Sequence, residues 1–326
     1  MSDSKATRAA YGETLVELLN EGLDVYAVDA DLSGSTTTSK LAAADPRRHI
    51  NVGIAEQNMI GVAAGLALAG KVAFTGSFAI FGTGRVYDQI RNTVCYVNLD
   101  VKIAPTHAGI SVGPDGGSHQ MVEDIALMRV LPNMRVLVPA DYQATKSLLR
   151  LAAQTPGPFY IRMGRAPVPA TYGHESDFQV GGSHLLRVPE AGRSAAVTIV
   201  ATGYEVHLAL EAAKQLAASG IEAEVIDAYS IKPLDGQAII QSARRTGAVV
   251  TAEEHSVIGG LGSAVSELLA ENPGILTRPL RRVGVNDRFG TSGEADELIT
   301  SYGLDAQAIY TVVLELVKSQ SLGQGK

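Results

Sequence analysis

Helical segments and short, strongly apolar strands alternate along the first half of this chain, and that alternation admits few folds. Apolar residues recur at helical spacing over residues 7–19, Gly22 ends the run, and the apolar VYAV at 25–28 follows as a strand. The same order returns in 55–69 then 71–77, 85–97 then 101–106, 123–130 then 134–138, and 142–154 then 158–162. Strands this apolar, separated by helices, predict a doubly wound α/β unit with a mainly parallel sheet covered on both faces. Ligands of such sheets lie at the carboxyl ends of the strands, so chemistry is expected in the segments that follow them.

The pattern stops between 166 and 193, where Pro167, Pro169, Gly173, Gly181 and Gly182 interrupt a mostly polar stretch, and this reads as a linker. A second, smaller α/β unit is expected beyond it, with strands near 196–201, 222–227, 248–252 and 280–285. Its helices are expected over 205–218, 237–245, 261–271 and 306–318, and the terminal SLGQGK should fray. Two units, 1–165 and 194–326, suit a chain of 326 residues, because one core seldom serves beyond ~250–300 residues.

Charge and cysteine content narrow the function. A net charge of −7 argues against a nucleic-acid or anionic-membrane partner, which would need a basic face. The one cysteine, Cys95, excludes an intrachain disulfide and a cysteine-rich metal site, and it fits a reducing, cytoplasmic setting. It lies in a helical run and is expected to fill core. The N-terminal MSDSKATRAAYG holds no apolar signal core, and no apolar run approaches the ~20 residues of a membrane span.

Residues 52–70, VGIAEQNMIGVAAGLALAG, read as the end of a strand followed by a helix packed on all sides, with Glu56 its one acidic side chain. Burial favours the neutral form of a carboxyl group, which suits this one to share a proton with a ligand nitrogen. Capping of the helix N-terminus is the plainer alternative. Five further segments carry polar or aromatic groups without an evident packing role. They are Thr7-Arg8, the DLSGS of Asp31 to Ser35, the GSFAIF containing Phe78 and Phe81, HAGISVGPDGGSH with His107, Asp115 and His119, and Arg162-Met163-Gly164-Arg165. The loop at 107–119 is short of side-chain bulk and is expected to bring backbone close to a ligand. Metal ligation by His107, Asp115 and His119 matches no standard zinc spacing. In the second unit, Gly203, Gly259-Gly260 and Gly262 follow strands and could cradle an anion, although no complete phosphate fingerprint surrounds them.

Over nearly its full length the chain resembles the C-terminal half of a transketolase, the pyrimidine-binding domain followed by the small C-terminal domain. The motifs are KATRAAYGETL, DADLSGS, GIAEQNMIGVAAG, GSFAIFGTGRVYDQIRN, THAGISVGPDGGSHQMVEDIALMR, AYSIKPLD and EEHSVIGGLGSAVSE. The resemblance implies dependence on thiamine diphosphate. It also implies a missing half, because transketolases hold the diphosphate and its Mg2+ or Ca2+ with a domain bearing Gly-Asp-Gly and a following Asn, and no Gly-Asp-Gly occurs here. A partner chain carrying that domain is expected, in an α2β2 heterotetramer with the active sites between subunits.

Roles implied by the resemblance fall on particular positions. Glu56 would hydrogen-bond the aminopyrimidine ring nitrogen, Phe78 and Phe81 would wall that ring, and Asp31 would support the pocket or the subunit contact. His107 and Asp115 would hydrogen-bond substrate hydroxyls, and His119 would move a proton at the reacting end. Arg8, Ser35 and Arg165, with His107, would clamp a sugar phosphate. The family's third aromatic varies and is left unassigned, Gly84 or Arg85 standing in its region, and Asp287 and His255 receive no catalytic role. The implied reaction is transfer of a two-carbon ketol unit from a ketose phosphate such as xylulose 5-phosphate to an aldose phosphate such as ribose 5-phosphate. Alternatives are a 1-deoxyxylulose-5-phosphate synthase, a 2-oxo acid dehydrogenase β subunit, a split transketolase for an unusual branched or sulfonated sugar, and a non-catalytic subunit that keeps the fold.

Overall fold

The computed structural model describes residues 4–173, 176–190 and 192–319; the expected fraying of SLGQGK falls outside them. Seven strands form the first sheet, in the spatial order Ser230–Lys232, Arg135–Leu137, Phe159–Ile161, Val101–Ile103, Val72–Gly76, Val25–Asp29 and His49–Asn51. Every pairing is parallel except that of Ser230–Lys232 with Arg135–Leu137. Helix Thr7–Asn20 packs with Tyr142–Gln154 on one face through Tyr11, Leu15, Leu18, Leu148 and Leu149. Met59, Ile60 and Ala63 of helix Glu56–Leu68 pack on the other face beside Val86, Ile90 and Val94. A sheet whose strands are apolar on both sides is covered on both sides, as the alternation predicts.

The second sheet runs Arg281–Val285, Val249–Ser256, Val197–Ala201, Ala223–Asp227 and His184–Arg187, parallel except for the last strand. Two findings alter the expected division. The stretch read as a linker supplies strands to both units, Pro167–Val168 pairing with Lys5–Ala6 and His184–Arg187 forming the second sheet's edge. Ser230–Lys232, on the second unit's side of the sequence, pairs with the first sheet. These strands are short, and their Pro, Gly and polar neighbours mask them.

Helix Glu56–Leu68 is not packed on all sides. Glu56, Met59, Ile60, Ala63 and Ala64 are buried, whereas Gln57, Asn58, Gly61, Gly65 and Leu68 lie open on the opposite face. An uncharged face looks buried in sequence even when nothing in its own chain covers it. The helix expected over 85–97 is broken into π-helical turns at Ile80–Gly84 and Ile90–Cys95 around a short α-helical turn at Tyr87–Gln89. Such turns insert a residue into the helical register and recur at functional sites. Cys95 is buried in the core, where desolvation pushes its thiol up to about 11.

Candidate active site

The carboxyl end of the first sheet gathers most of the expected residues. Beyond Val72–Gly76 the backbone stays paired, because Ala79 N donates to Thr106 O at 2.8 Å and Thr106 N to Ser77 O at 3.1 Å. Ala108 N then donates to Met163 O at 3.1 Å, and Gly109 N to Met121 O at 2.8 Å. This extension brings Phe78 beneath His107, with ring centroids 3.8 Å apart and planes 24° from parallel. Phe81 lies 6.2 Å from Phe78, nearly parallel at 16°, and His119 stands edge-on to Phe81 at 5.4 Å.

His107 holds a left-handed backbone, φ +61°, which a non-glycine residue keeps only where its surroundings impose it. Its Nδ1 lies 2.7 Å from Thr106 Oγ1. Burial, reinforced by the positive charges of Arg8 and Arg165 and by His119, pushes the imidazole down to about 3, so it is neutral at any working pH. His107 therefore offers hydrogen bonds but no charge. His119 is half-buried, its Nδ1 3.0 Å from Ser118 Oγ.

Arg8 and Arg165 approach each other beside His107. Arg8 donates to the carbonyl of Ser35 at 2.9 Å and Arg165 to the carbonyl of Val112 at 2.7 Å. Burial and the charge of Arg165 lower the Arg8 guanidinium from its usual range, and Asp115 opposes that shift. Two guanidiniums held on backbone carbonyls are a pairing whose forks match the oxygens of an anion. Ser35 meets Arg8 through its carbonyl and not its hydroxyl. Asp115 is exposed at the rim.

Glu56 is buried at the first turn of its helix, yet it is not a lone acid: Arg85 Nη1 lies 2.9 Å from Oε1, and the same guanidinium sits 4.4 Å over the Phe81 ring. Arg85 is a site residue that the sequence left unassigned. Its only signal was a cation where an aromatic was expected. Asp31, exposed and at φ +64°, exchanges hydrogen bonds with Asn51, whose Oδ1 also accepts from Gly53 N; it braces the approach to Glu56. The acid that shapes the 31–35 turn is buried Asp29, which accepts from Leu32 N, Thr36 and Thr38.

Glycines expected to admit a ligand instead admit protein. A Cβ at Gly109 would lie 2.3 Å from Glu254 Cδ, one at Gly116 2.5 Å from Ser292 Oγ, and one at Gly117 2.5 Å from the Gly290 carbonyl. In the second unit, the amides at the start of helix Leu261–Ala270 already donate to the chain's own Glu253, whose carboxyl oxygens accept from Leu261 N and Gly262 N at 2.7 and 2.8 Å. Among the described residues no three His, Cys, Asp or Glu side chains gather as a metal centre, and no helix is long and apolar enough to cross a membrane.

A buried acid at a helix start, two near-parallel phenylalanine rings and two arginines lie at the end of a parallel sheet followed by a second α/β unit, and together they define a two-domain α/β protein with one candidate site. Residues 3–170 match the family model for the transketolase pyrimidine-binding domain, and residues 189–309 match that for the transketolase C-terminal domain. The chain belongs to the transketolase family, which depends on thiamine diphosphate. It is 48% identical to a relative described as a transketolase C-terminal section, from Methanocaldococcus jannaschii, over 97% of this chain and 98% of that protein. It is 42% identical to a 6-deoxy-6-sulfo-D-fructose transketolase subunit of Clostridium sp. strain MSTE9, over 96% and 95% of the two chains. A solved structure described as a split-gene transketolase, inactive β4 tetramer, superposes with a TM-score of 0.85 at 50% identity, covering 96% of this chain and 98% of that one.

Proposed function

We propose that this chain is the pyrimidine-binding half of a transketolase that moves a two-carbon ketol unit from a ketose phosphate to an aldose phosphate. It acts with a partner chain that carries the diphosphate-binding domain. The observation that carries the reading is buried Glu56 beside the parallel Phe78 and Phe81 rings. An acid beside a flat aromatic wall fits an aminopyrimidine. The diphosphate and its Mg2+ or Ca2+ fall to the partner, a reading supported by the C-terminal-section relative whose length this chain covers to 98%.

Thiamine diphosphate, when bound, supplies the nucleophilic carbon and the electron sink for breaking and remaking a carbon–carbon bond. The chain's own residues bind and orient. Glu56 hydrogen-bonds the ring nitrogen, and Phe78 and Phe81 keep water from the ring face. His107, neutral and tied at Nδ1, presents its other nitrogen to a substrate hydroxyl, and Asp115 accepts from another. His119 moves a proton at the reacting end. Arg8 and Arg165 grip the anionic tail, with the Ser35 carbonyl orienting Arg8. Asp31 steadies the turn before Glu56 through Asn51.

The open face of helix Glu56–Leu68 supports a partner, as do Ile54, Leu68 and Tyr96, which are each at least three-quarters exposed. An α2β2 assembly in the cytoplasm fits these surfaces and the single buried cysteine. A second reading, a sulfonated sugar as substrate, is favoured by the clostridial relative, because a guanidinium pair grips a sulfonate as it grips a phosphate.

The deciding experiment mixes the chain with its diphosphate-binding partner, thiamine diphosphate and Mg2+, and follows ketol transfer from xylulose 5-phosphate to ribose 5-phosphate. Activity of the mixture and weak cofactor binding by the chain alone are expected. Tight, metal-dependent cofactor binding by the isolated chain would overturn the two-chain reading. Transfer only from 6-deoxy-6-sulfofructose would select the second substrate.

A further inference from the structure

The loop that carries the substrate-facing residues is moulded by the second unit. Glu254, on strand Val249–Ser256, is 2% exposed, and its Oε1 accepts the backbone N–H of Ser111 at 2.5 Å. Gly109, at φ +86°, lies so close to that carboxylate that no larger residue fits. The strand bearing Glu254 is itself clamped to the first unit. Arg162 Nη2 donates to the Glu254 carbonyl at 2.9 Å, while Arg162 Nε pairs with Asp124 at 2.7 Å. From within the loop, Gln120 Nε2 donates to the carbonyls of Ile110, Gly113 and Thr291 at 3.2, 3.2 and 2.9 Å. The backbone of 109–113 is thus held between one carboxylate and one amide, with His107 just before this span and Asp115 just after it.

We propose that Glu254 of the second unit is a positioning residue for ketol transfer: its carboxylate holds the 109–113 backbone at the depth that aims His107 and Asp115 at the substrate. The proposal rests on the functional reading above for its kinetic consequence, and on geometry alone for the placement of the loop. The reach of the side chain is what matters. Shortened by one methylene, the acceptor withdraws from Ser111 N–H and leaves a buried donor unpaired, whereas an amide of the same length still accepts it. This gives the second unit a part in the chemistry through the loop backbone it supports.

The test compares Glu254→Asp with Glu254→Gln in the full chain. Hydrogen exchange of the 109–113 amides, read by mass spectrometry without partner, cofactor or substrate, should quicken about tenfold or more in Glu254→Asp and stay close to wild type in Glu254→Gln. With the partner present, Glu254→Asp should lower kcat/KM about 10- to 100-fold, as loss of a supporting contact does. Both KM for the acceptor and kcat should change, and thiamine diphosphate affinity should stay within about twofold, because Glu56 lies outside the loop. Glu254→Gln should restore the wild-type values. Unchanged loop exchange in Glu254→Asp, or equal loss in both variants, would overturn the proposal. If the wild-type mixture performs no ketol transfer, the functional reading fails while the exchange measurement still decides the loop's placement.

Discussion

The guanidinium of Arg85 lies 2.9 Å from the carboxylate of Glu56 and rests on the ring of Phe81, so one cation joins the acid to the aromatic wall. Glu56 is buried and Arg85 about half exposed, which places the pair between a surface salt bridge and an interior one. A heterocycle seated against Phe78 and Phe81 must share Glu56 with Arg85 or displace it.

A double-mutant cycle of Glu56→Gln and Arg85→Met, read by urea denaturation, should give a coupling of about 1 kcal/mol, above the usual exposed pair and below a fully buried one. A coupling near zero would mean that Arg85 leaves Glu56 to solvent.

Glu56→Ala should fold and join its partner normally yet lose ketol transfer by about 10²- to 10⁴-fold, the range for removing a group that manages a reacting proton. Steady-state rates of the mixed chains check this, and near-normal turnover would remove Glu56 from the chemistry.

The neutrality of His107 links folding to pH. Its ordinary value is 6.5 and its folded value about 3, so below 6.5 the unfolded chain takes up a proton that the folded chain refuses. Stability therefore falls as pH drops from 6.5 towards 3, and between pH 7.5 and 5.5 this residue should cost about 1 kcal/mol. Burial lowers His49 and His207 as well. The informative quantity is accordingly the difference between wild type and His107→Asn in urea midpoints, which should narrow on acidification.

Arg165→Ala should raise KM for phosphorylated sugars by about 10- to 100-fold with a smaller change in kcat, the signature of lost uniform binding. Equal effects on phosphorylated and unphosphorylated sugars would dismiss the clamp. Arg165→Lys keeps the charge without the fork and should fall between the two.

Periodicity revealed what local physics controls. Helices Thr7–Asn20 and Tyr142–Gln154 and most of the buried strands lie within a residue or two of their expected bounds, because apolar spacing and end signals reside in the segments themselves; Val101–Ile103 ends three residues early and Val249–Ser256 runs four further. What stayed hidden depended on distant partners. The glycines of the 107–119 loop read as room for a ligand, but Glu254, Ser292 and Gly290 lie far off in sequence. Glu253 likewise fills the helix start whose glycines read as a possible cradle for an anion. Arg85 was concealed because the partner that gives it a role, Glu56, sits on another helix 29 residues away, beyond any count along its own segment. The site residues read from the motifs nonetheless gather at one end of one sheet, where Asp31 faces Asn51.

Strand Ser230–Lys232 sits on the border of the first sheet although the chain reaches it only after starting the second. Cutting the polypeptide between residues 187 and 230 would strip Arg135–Leu137 of one of its two neighbours and turn it into a bare edge strand, the kind of raw flank that seeds aggregation. Neither unit is a cassette that can be lifted out by itself, and a truncated expression clone or chimera ending at that junction is expected to fail for want of three borrowed residues.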